Sequence, residues 1–583
     1  MLARSKYKTC DPEETISVVK SILELNGIKT DIKYFTTTGA EHSCRLRIIN
    51  KGLEPFDIGV NGKGMDMTYA TASAYGELME RLQNKALCRE NIKYAAKSFS
   101  HLDDESNLSP IALNFQYFPD EKLTETKSAD LTDTVIPAFF PNHIEEIKAC
   151  DFDDIDKVVS IFAPFQNLSD GEYTFIPVEW FRAMCGSTGL CAGNSREEAL
   201  VQGINEICER YVLMRLYLHE YNLPSIPLNI FEGHDIFNRL NALKHKYQIV
   251  IKDCSLGMGI PVLGLLLINK TEGKYAFRLG ADFNLVTALE RCYTESFQGE
   301  NASNQIFRTF DIKSPSDLRE YGHSLKNGTG RFPHYILKET NTEQRFPHID
   351  FANYQEELDY YVSLFGKFGR DIYVKDNSFL GFPAYSIYIP GFSSIDYPLS
   401  DLVSIILSKS LEHHRLPLTM DVAKAFSTNP DLLISHAPDL MNLDLQKWNT
   451  SKAARVPAPI IKFYCYAMKG DFKSAHNVLK RHIEYIESKM IPVPALLRCA
   501  HDVASVLDGS CDMNTIRLIY GDESVDKLLL QIRDVPKYFS SQWFPKCFHC
   551  SECKIARDCH FEDVVRFEQA LQVAQTQYSG YKL

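Results

Sequence analysis

Apolar residues recur every three to four positions over residues 13–25 (EETISVVKSILEL). The segment predicts an amphipathic helix that opens after Asp11-Pro12 and stops at Gly27. Residues 43–50 (SCRLRIIN) alternate like a strand. A second helix is expected over 68–84, entered through a glycine loop, Asn61-Gly62-Lys63-Gly64. Residues 98–171 are polar and turn-rich with fragments of strand, and read as an insertion or lid rather than core. The longest helical pattern runs from about 196 to 218, and Ser195 with Glu198 supplies a Ser-x-x-Glu capping box at its start. Apolar runs at 247–252 (YQIVIK) and 261–268 (PVLGLLLI) predict buried strands, residues 288–298 a further helix, and 371–375 and 384–390 two more strands. From about 400 onward the pattern is helical, apart from polar connectors such as 443–457. The fold class expected is α+β: a core of mixed sheets and helices to about 410, followed by an all-helical C-terminal domain.

Composition narrows the function. The chain has 583 residues, 45% of them hydrophobic and 24% charged, an ordinary globular balance. Its formal net charge of −12 lacks the dense positive charge that non-specific nucleic-acid binding needs, so no direct nucleic-acid binding is expected. The longest apolar stretch, residues 260–268, is interrupted by Pro261 and Gly264 and is far short of a membrane span. The first six residues carry charge without an apolar run behind them, so no signal peptide and a cytoplasmic location are expected. Of 16 cysteines, twelve are scattered and predict buried thiols. The other four form Cys547-x2-Cys550-x2-Cys553-x5-Cys559. In a cytosolic chain that cluster points to metal rather than disulfides. The C-x2-C-x2-C spacing suits an Fe–S cluster. A tetrahedral Zn²⁺ site also fits, with His549 or His560 as alternative ligands.

Three helical segments share a further pattern. They carry Glu77-Leu78-Met79-Glu80-Arg81, Glu206-Ile207-Cys208-Glu209-Arg210 and Glu290-Arg291-Cys292-Tyr293-Thr294-Glu295. Carboxylates three residues apart share one helix face and repel, which costs stability unless a cation offsets it. The flanks are apolar (Ala70, Ala74, Leu78, Leu82; Val201, Ile204, Ile207, Val212), so these faces predict packing rather than free solvation. Either arginine partners neutralise them, as on an ordinary exposed face, or divalent cations sit between helices. Mg²⁺, bound through a few carboxylates plus phosphates, is the hard cation that suits such donors. The usual nucleotide motifs are missing: Gly64 stands where a P-loop needs Ser or Thr, and Gly257-Met258-Gly259 lacks the third glycine of a dinucleotide fingerprint.

Four ordered motifs resemble the YcaO family, which uses Mg-ATP to activate backbone amides of peptides. They are Asn61-Gly62-Lys63-Gly64 leading to Ser73-x3-Glu77-x2-Glu80-Arg81; Ala192-Gly193-Asn194-x3-Glu198-Ala199-x2-Gln202-Gly203-x2-Glu206-x2-Glu209-Arg210-Tyr211; Ala288-Leu289-Glu290-Arg291-x3-Glu295-x2-Gln298-Gly299; and Ile389-Pro390-Gly391-Phe392-Ser393 followed by Tyr397-Pro398. The resemblance runs from Lys8 to about 410 with a similar helical tail. It is strongest to the long stand-alone type regarded as an accessory factor for methylthiolation of a ribosomal protein. It implies an ATP site lined by Lys8, Thr15, Ser73, Glu77, Glu80, Asn194, Glu198, Gln202, Arg210 and Arg291. It implies Mg²⁺ ligands among Glu77, Glu80, Glu206, Glu209 and Glu295, with Arg210 and Arg291 on phosphate oxygens. The implied reaction is O-phosphorylation of a peptide amide, leading to an azoline or a thioamide. Many azoline-forming members end in a Pro-rich tail; this sequence ends Tyr578-Ser579-Gly580-Tyr581-Lys582-Leu583, which sets it apart from a typical azoline cyclase.

The domains expected are residues 1–58, the N-terminal α/β part of the core; 59–410, the ATP-binding domain; and 411–583, the helical domain with the cysteine cluster. Gly470-Asp471-Phe472-x2-Ala475 resembles one turn of a tetratricopeptide hairpin. The expected partner is a peptide or protein substrate, a ribosomal protein or a modifying enzyme among them, and the expected assembly is a homodimer. The rival to an enzyme is a non-catalytic ATP-binding scaffold.

Overall fold

The computed structural model describes residues 8–36, 42–87, 118–127, 157–298, 308–309, 332–338, 346–394, 458–488, 492–509, 512–540 and 560–581. They form two compact units, one holding the described residues up to 394 together with 568–581, the other those from 458 to 567.

The first unit is built on three antiparallel sheets. Helix α1 (Pro12–Leu25) precedes strands β1 (Thr30–Thr36), β2 (His42–Ile48) and β3 (Gly59–Gly64), which pair in the order β1-β2-β3 and carry helix α2 (Met67–Gln83) on one face. The sequence expectation for residues 61–64 was a loop, but they are strand. Glycine content masks the strand signal here because the glycines serve packing. A Cβ on Gly62 would lie 2.0 Å from the Ala70 carbonyl oxygen, and one on Gly64 would lie 2.5 Å from the Ala70 nitrogen. Only glycine lets the α2 backbone sit directly on β3.

The second sheet draws on β4 (Lys122–Lys127), β5 (Lys157–Asn167), β6 (Tyr173–Pro177) and β7 (Leu190–Ala192), with α3 (Val178–Cys185) between the last two. The third sheet contains β8 (Ser225–Ile226), β9 (Gln248–Asp253), β10 (Val262–Asn269), β11 (Lys274–Ala281) and β12 (Arg308–Thr309), in the order β12-β11-β10-β9-β8. Helices α4 (Arg196–Leu218), α5 (Asp235–Leu243), α6 (Leu285–Ser296) and α7 (Tyr354–Lys367) pack on these strands or on one another. Strands β13 (Tyr373–Asp376) and β14 (Ala384–Tyr388) complete the second sheet, β4-β5-β13-β14-β7, with β6 beside β5.

Every residue of β10 is buried. Its alternate side chains feed two different cores: Val262, Leu266 and Ile268 pack with α4, and Leu263, Leu265 and Leu267 with α6. A strand covered on both faces reads as one apolar run, which is why it was legible in the sequence. The expectation that residues 98–171 lie outside the core is overturned for 157–167. Strand β5 sits inside the second sheet, with Phe162 and Phe165 buried. A polar seam ties α2 to this sheet. Gln83 Nε2 donates to the Phe382 carbonyl (2.8 Å) and Gln83 Oε1 accepts from the Leu380 amide (2.8 Å). Asn84 Oδ1 accepts from Asn377 and Ser386.

The second unit is helical: α8 (Ala458–Met468), α9 (Phe472–Ser488), α10 (Ala495–Leu507), α11 (Met513–Tyr520), α12 (Asp522–Arg533) and α13 (Val535–Ser540), with α14 (Phe561–Gln577) divided between the two units. Its core joins Ile461, Phe463, Leu479, Val503, Val525 and Leu528. Gly470 turns α8 into α9 at φ +73°, and Ala475 is fully buried at the close approach of the pair. No helix among the described residues is long and apolar enough to cross a membrane.

Candidate functional site

The sequence-predicted carboxylates converge. Glu77 and Glu80 come from α2, Glu206 and Glu209 from α4, and Glu295 from α6. Lys63 on β3 pairs with Glu295 across 232 residues of chain. Helices α2 and α4 also carry local pairs: Arg81 lies 3.6 Å from Glu77 and 3.3 Å from Glu80, and Arg210 lies 3.8 Å from Glu206. The ordinary ion-paired face is therefore present, but it turns inward onto a shared cluster. Side-chain exposure is 18% for Glu80 and 29–31% for Glu295, Glu206 and Glu77, so the cluster is recessed yet open to a ligand. A cavity of about 40 Å³ opens beside it between Glu209, Arg210, Arg278, Glu295 and the apolar wall of Leu213, Phe277 and Phe332.

Electrostatics mark the cluster as short of positive charge. Burial pushes the Glu77, Glu80 and Glu206 carboxyls up, against the pull of Arg81 on the first two and of Arg210 on Glu206. Neighbouring carboxylates add to the rise in each case. Glu209 is raised to about 7, chiefly by burial. Glu295 is the exception: burial would raise it, but the charge and hydrogen bond of Lys63 outweigh that and hold it below the ordinary carboxylate value.

A second group gathers at the start of α4. The Ser195 side chain accepts from the Glu198 amide at 3.1 Å, the expected cap. The Glu198 carboxylate, 2% exposed, reaches toward other partners: Gln202 Nε2 (3.2 Å), Asn194 Nδ2 (3.4 Å) and Lys8 Nζ (3.5 Å). Thr15 Oγ1 donates to Asn194 Oδ1 at 2.9 Å. Arg291 pairs with the fully buried Asp282 at 3.7 Å, and both act on the Tyr354 hydroxyl together with Glu198. Lys8, Thr15, Asn194, Glu198, Gln202 and Arg291 thus form one neighbourhood, and the five metal-type carboxylates with Arg210 form another. Ser73 lies on α2 one turn before Glu77, half-buried. Cys547, Cys550, Cys553 and Cys559 lie outside the described residues, as do Tyr397 and Pro398.

Sequence reasoning missed Lys63, Arg278 and Asp282 as site residues. Lys63 was on the page, inside a segment read as a loop. Had the alternation of residues 59–64 been recognised as strand, its charge would have been assigned a face. Asp282 had no motif to flag it. The nine described cysteines are free thiols, eight of them buried, as the scattered ones were expected to be.

Among the described residues, no three His, Cys, Asp or Glu side chains are drawn together tightly enough to hold a metal ion by themselves. The cluster offers oxygen donors only, repelling one another in a desolvated recess. That set fits Mg²⁺, which keeps waters and completes its shell with substrate phosphates rather than in a closed protein cage.

One consequence concerns pH. Glu290 on α6 is raised to about 7, by burial first and then by Asp235, against the pull of Arg239. A carboxyl raised in the folded state stabilises below its ordinary value near 4.5, and that contribution is lost as pH climbs through about 7. Glu290→Gln is therefore expected to be more stable than the parent at pH 8, by on the order of 2 kcal/mol, and equal to it below pH 4.5. Urea melts across that range check this; parallel profiles would refute it.

A family model described as YcaO cyclodehydratase, ATP- and Mg²⁺-binding, matches residues 61–393. An uncharacterized protein of Haemophilus influenzae is 29% identical over 363 residues, 59% of this chain and 58% of the relative. The Escherichia coli ribosomal protein S12 methylthiotransferase accessory factor YcaO is 29% identical over 358 residues, again 59% and 58%. The match thus spans less than two thirds of these relatives' length. Among solved structures, YcaO from Methanopyrus kandleri bound with AMPPCP and Mg²⁺ aligns with 66% of this chain and 92% of its own, at TM-score 0.42 and 14% identity. A heterocyclase in complex with substrate and cofactor aligns with 67% of this chain and 53% of its own, at TM-score 0.46 and 18% identity. Since the family match covers more than half of the chain, and takes in most of β3 and all of α2, α4 and α6 with all five clustered carboxylates, the protein belongs to the YcaO family and carries its ATP- and Mg²⁺-binding domain of cyclodehydratase type.

Proposed function

We propose that the protein uses Mg-ATP to O-phosphorylate a backbone amide of a peptide or protein, in the service of protein modification such as methylthiolation or thioamidation, a ribosomal protein being the favoured substrate. The observation that carries this reading is the meeting of Glu77, Glu80, Glu206, Glu209 and Glu295 from three helices. The name of the Escherichia coli relative supports the ribosomal-protein choice.

In the proposed reaction a nucleophile adds to the amide carbon and the carbonyl oxygen becomes an oxyanion. That oxyanion attacks the γ-phosphorus, and ADP leaves. The phosphorylated oxygen then departs as phosphate, leaving an azoline if the nucleophile was a Cys, Ser or Thr side chain, or a thioamide if it was sulfide. Mg²⁺, when bound, neutralises the phosphates and the charge on the transferring group. The chain's part is positional. The carboxylates orient the metal-bearing triphosphate, Arg210 supplies a cation at the cluster, and Arg291 supplies one beside Glu198. The nine described cysteines, eight of them buried, are free thiols, which supports a reducing setting.

The test is a calorimetric titration of the full chain with a non-hydrolysable ATP analogue, with and without Mg²⁺, followed by phosphate release in the presence of candidate peptides. Binding that requires Mg²⁺ is expected, with release stimulated by a substrate. Binding indifferent to Mg²⁺, or absent, would overturn the proposal. The mass of the product then separates the chemistries: loss of one water marks an azoline, and exchange of oxygen for sulfur marks a thioamide.

A further inference from the structure

Lys63 is placed where a lysine does more than balance charge. It lies on β3 between Gly62 and Gly64, whose missing side chains let α2 lie flat on the strand. With those two positions turned to α2, the strand's alternation turns Lys63 away from them, and its ammonium meets Glu295 on α6. It acts on Glu77, Glu206, Glu209 and Glu295, four of the five clustered carboxylates. Arg81 and Arg210 each form their short ion pairs with carboxylates of their own helix, and act more weakly across helices, Arg81 on Glu206 and Arg210 on Glu295, whereas the short ion pair of Lys63 is itself made to another element. An ammonium on a flexible stem is a compact point charge that can change partners, unlike a planar guanidinium fixed in a fork. Lys63 keeps 28% of its side-chain surface, so room to swing exists.

We infer that Lys63 is an internal counter-ion that competes with divalent metal for the Glu295 carboxylate, so that metal binds well only together with a nucleotide. The inference builds on the proposed function and adds the coupling. A metal ion drawing on Glu295 must share that carboxylate with Lys63, and the two cations repel at short range. A triphosphate changes the balance, because it gives the ammonium another anion to meet. The nucleotide therefore raises metal affinity by removing a competitor as well as by donating oxygens. By linkage, metal raises nucleotide affinity by the same factor.

The experiment is Mn²⁺ binding, followed by electron paramagnetic resonance, to the full-length parent and to Lys63→Met and Lys63→Gln, with and without a non-hydrolysable ATP analogue. Without nucleotide, both variants are expected to bind Mn²⁺ roughly tenfold tighter than the parent. The factor by which the analogue improves Mn²⁺ binding is expected to shrink correspondingly, within the 5–150-fold span typical of such couplings. If the parent takes up Mn²⁺ with the analogue but the variants bind Mn²⁺ alone no better than the parent, the counter-ion role is wrong and the proposed function stands. If the parent takes up no Mn²⁺ even with the analogue, the proposed function fails and this inference with it. If neither variant shows a cooperative melt, Lys63 is a structural residue and the inference is overturned.

Discussion

Glu209→Ala is expected to weaken Mg²⁺-dependent binding of an ATP analogue by a factor on the order of 10–100, the scale on which loss of a group supporting a bound metal lowers metal affinity. The same variant is expected to be as stable as the parent at pH 8, or more so. Both effects follow from one fact: burial raises the Glu209 carboxyl to about 7, so its ionised form costs folding energy and waits for a cation. The folded-state value lies above the ordinary one, so the penalty is absent below about pH 4.5 and complete above about 7. Calorimetry with Mg²⁺ and analogue, paired with urea melts at pH 8, reads both. Nucleotide binding within threefold of the parent would sink the assignment of this carboxylate to the site.

The largest stability effect is expected at Lys375→Met. Lys375 and Asp120 form an ion pair in the first unit with side chains only 5% and 4% exposed. Burial lowers the lysine and raises the aspartate, each against the pull of the other. Rings of Phe118 and Tyr581 stand 4.9 and 5.0 Å from the ammonium. Removing the lysine alone strands a buried carboxylate whose Oδ1 already has no hydrogen-bond partner among the described residues. The cost should be about 3–5 kcal/mol. Removing both charges, in Lys375→Met with Asp120→Leu, should restore most of it, because apolar replacements of a buried pair are often neutral. Equilibrium denaturation of the single and double variants measures this. A loss below about 1 kcal/mol in the single variant would show that water reaches the pair.

How much of this was legible in the sequence depended on which signal each element sends. Helix α4 announced itself through a capping serine and a long apolar pattern, and β10 through an unbroken apolar run. The carboxylate spacing within α2 and α4 showed that a cation was needed, but not that the two helices and α6 meet. Meeting is a tertiary fact with no local period. Strand β3 was hidden because its glycines are chosen for the contact with α2, which lies outside any window of strand-like alternation. Strand β5 was hidden by the polar stretches around it, although Phe162 and Phe165 are core residues. The buried partners Asp282 and Asp120 were hidden because a single aspartate looks the same in solvent and in a core until its neighbours are known.

The second sheet reads β4-β5-β13-β14-β7, and Lys63 waits for a partner 232 residues downstream. At the usual rates of synthesis, roughly 5–20 residues per second, about 10–50 s separate the two on the ribosome. Over that interval the acidic face of α2 exists without Glu206, Glu209 and Glu295, although the β1-β2-β3 sheet that carries the helix is already made. The unfinished chain therefore carries a helix whose apolar face can already pack on β2 and β3, while its carboxylates still lack the helices that complete the cluster. No nucleotide can rescue it, because the binding surface is complete only after α6 emerges. Such a topology, in which contacts between residues far apart in sequence complete the site, slows folding and lets the cluster assemble only once α6 has been made.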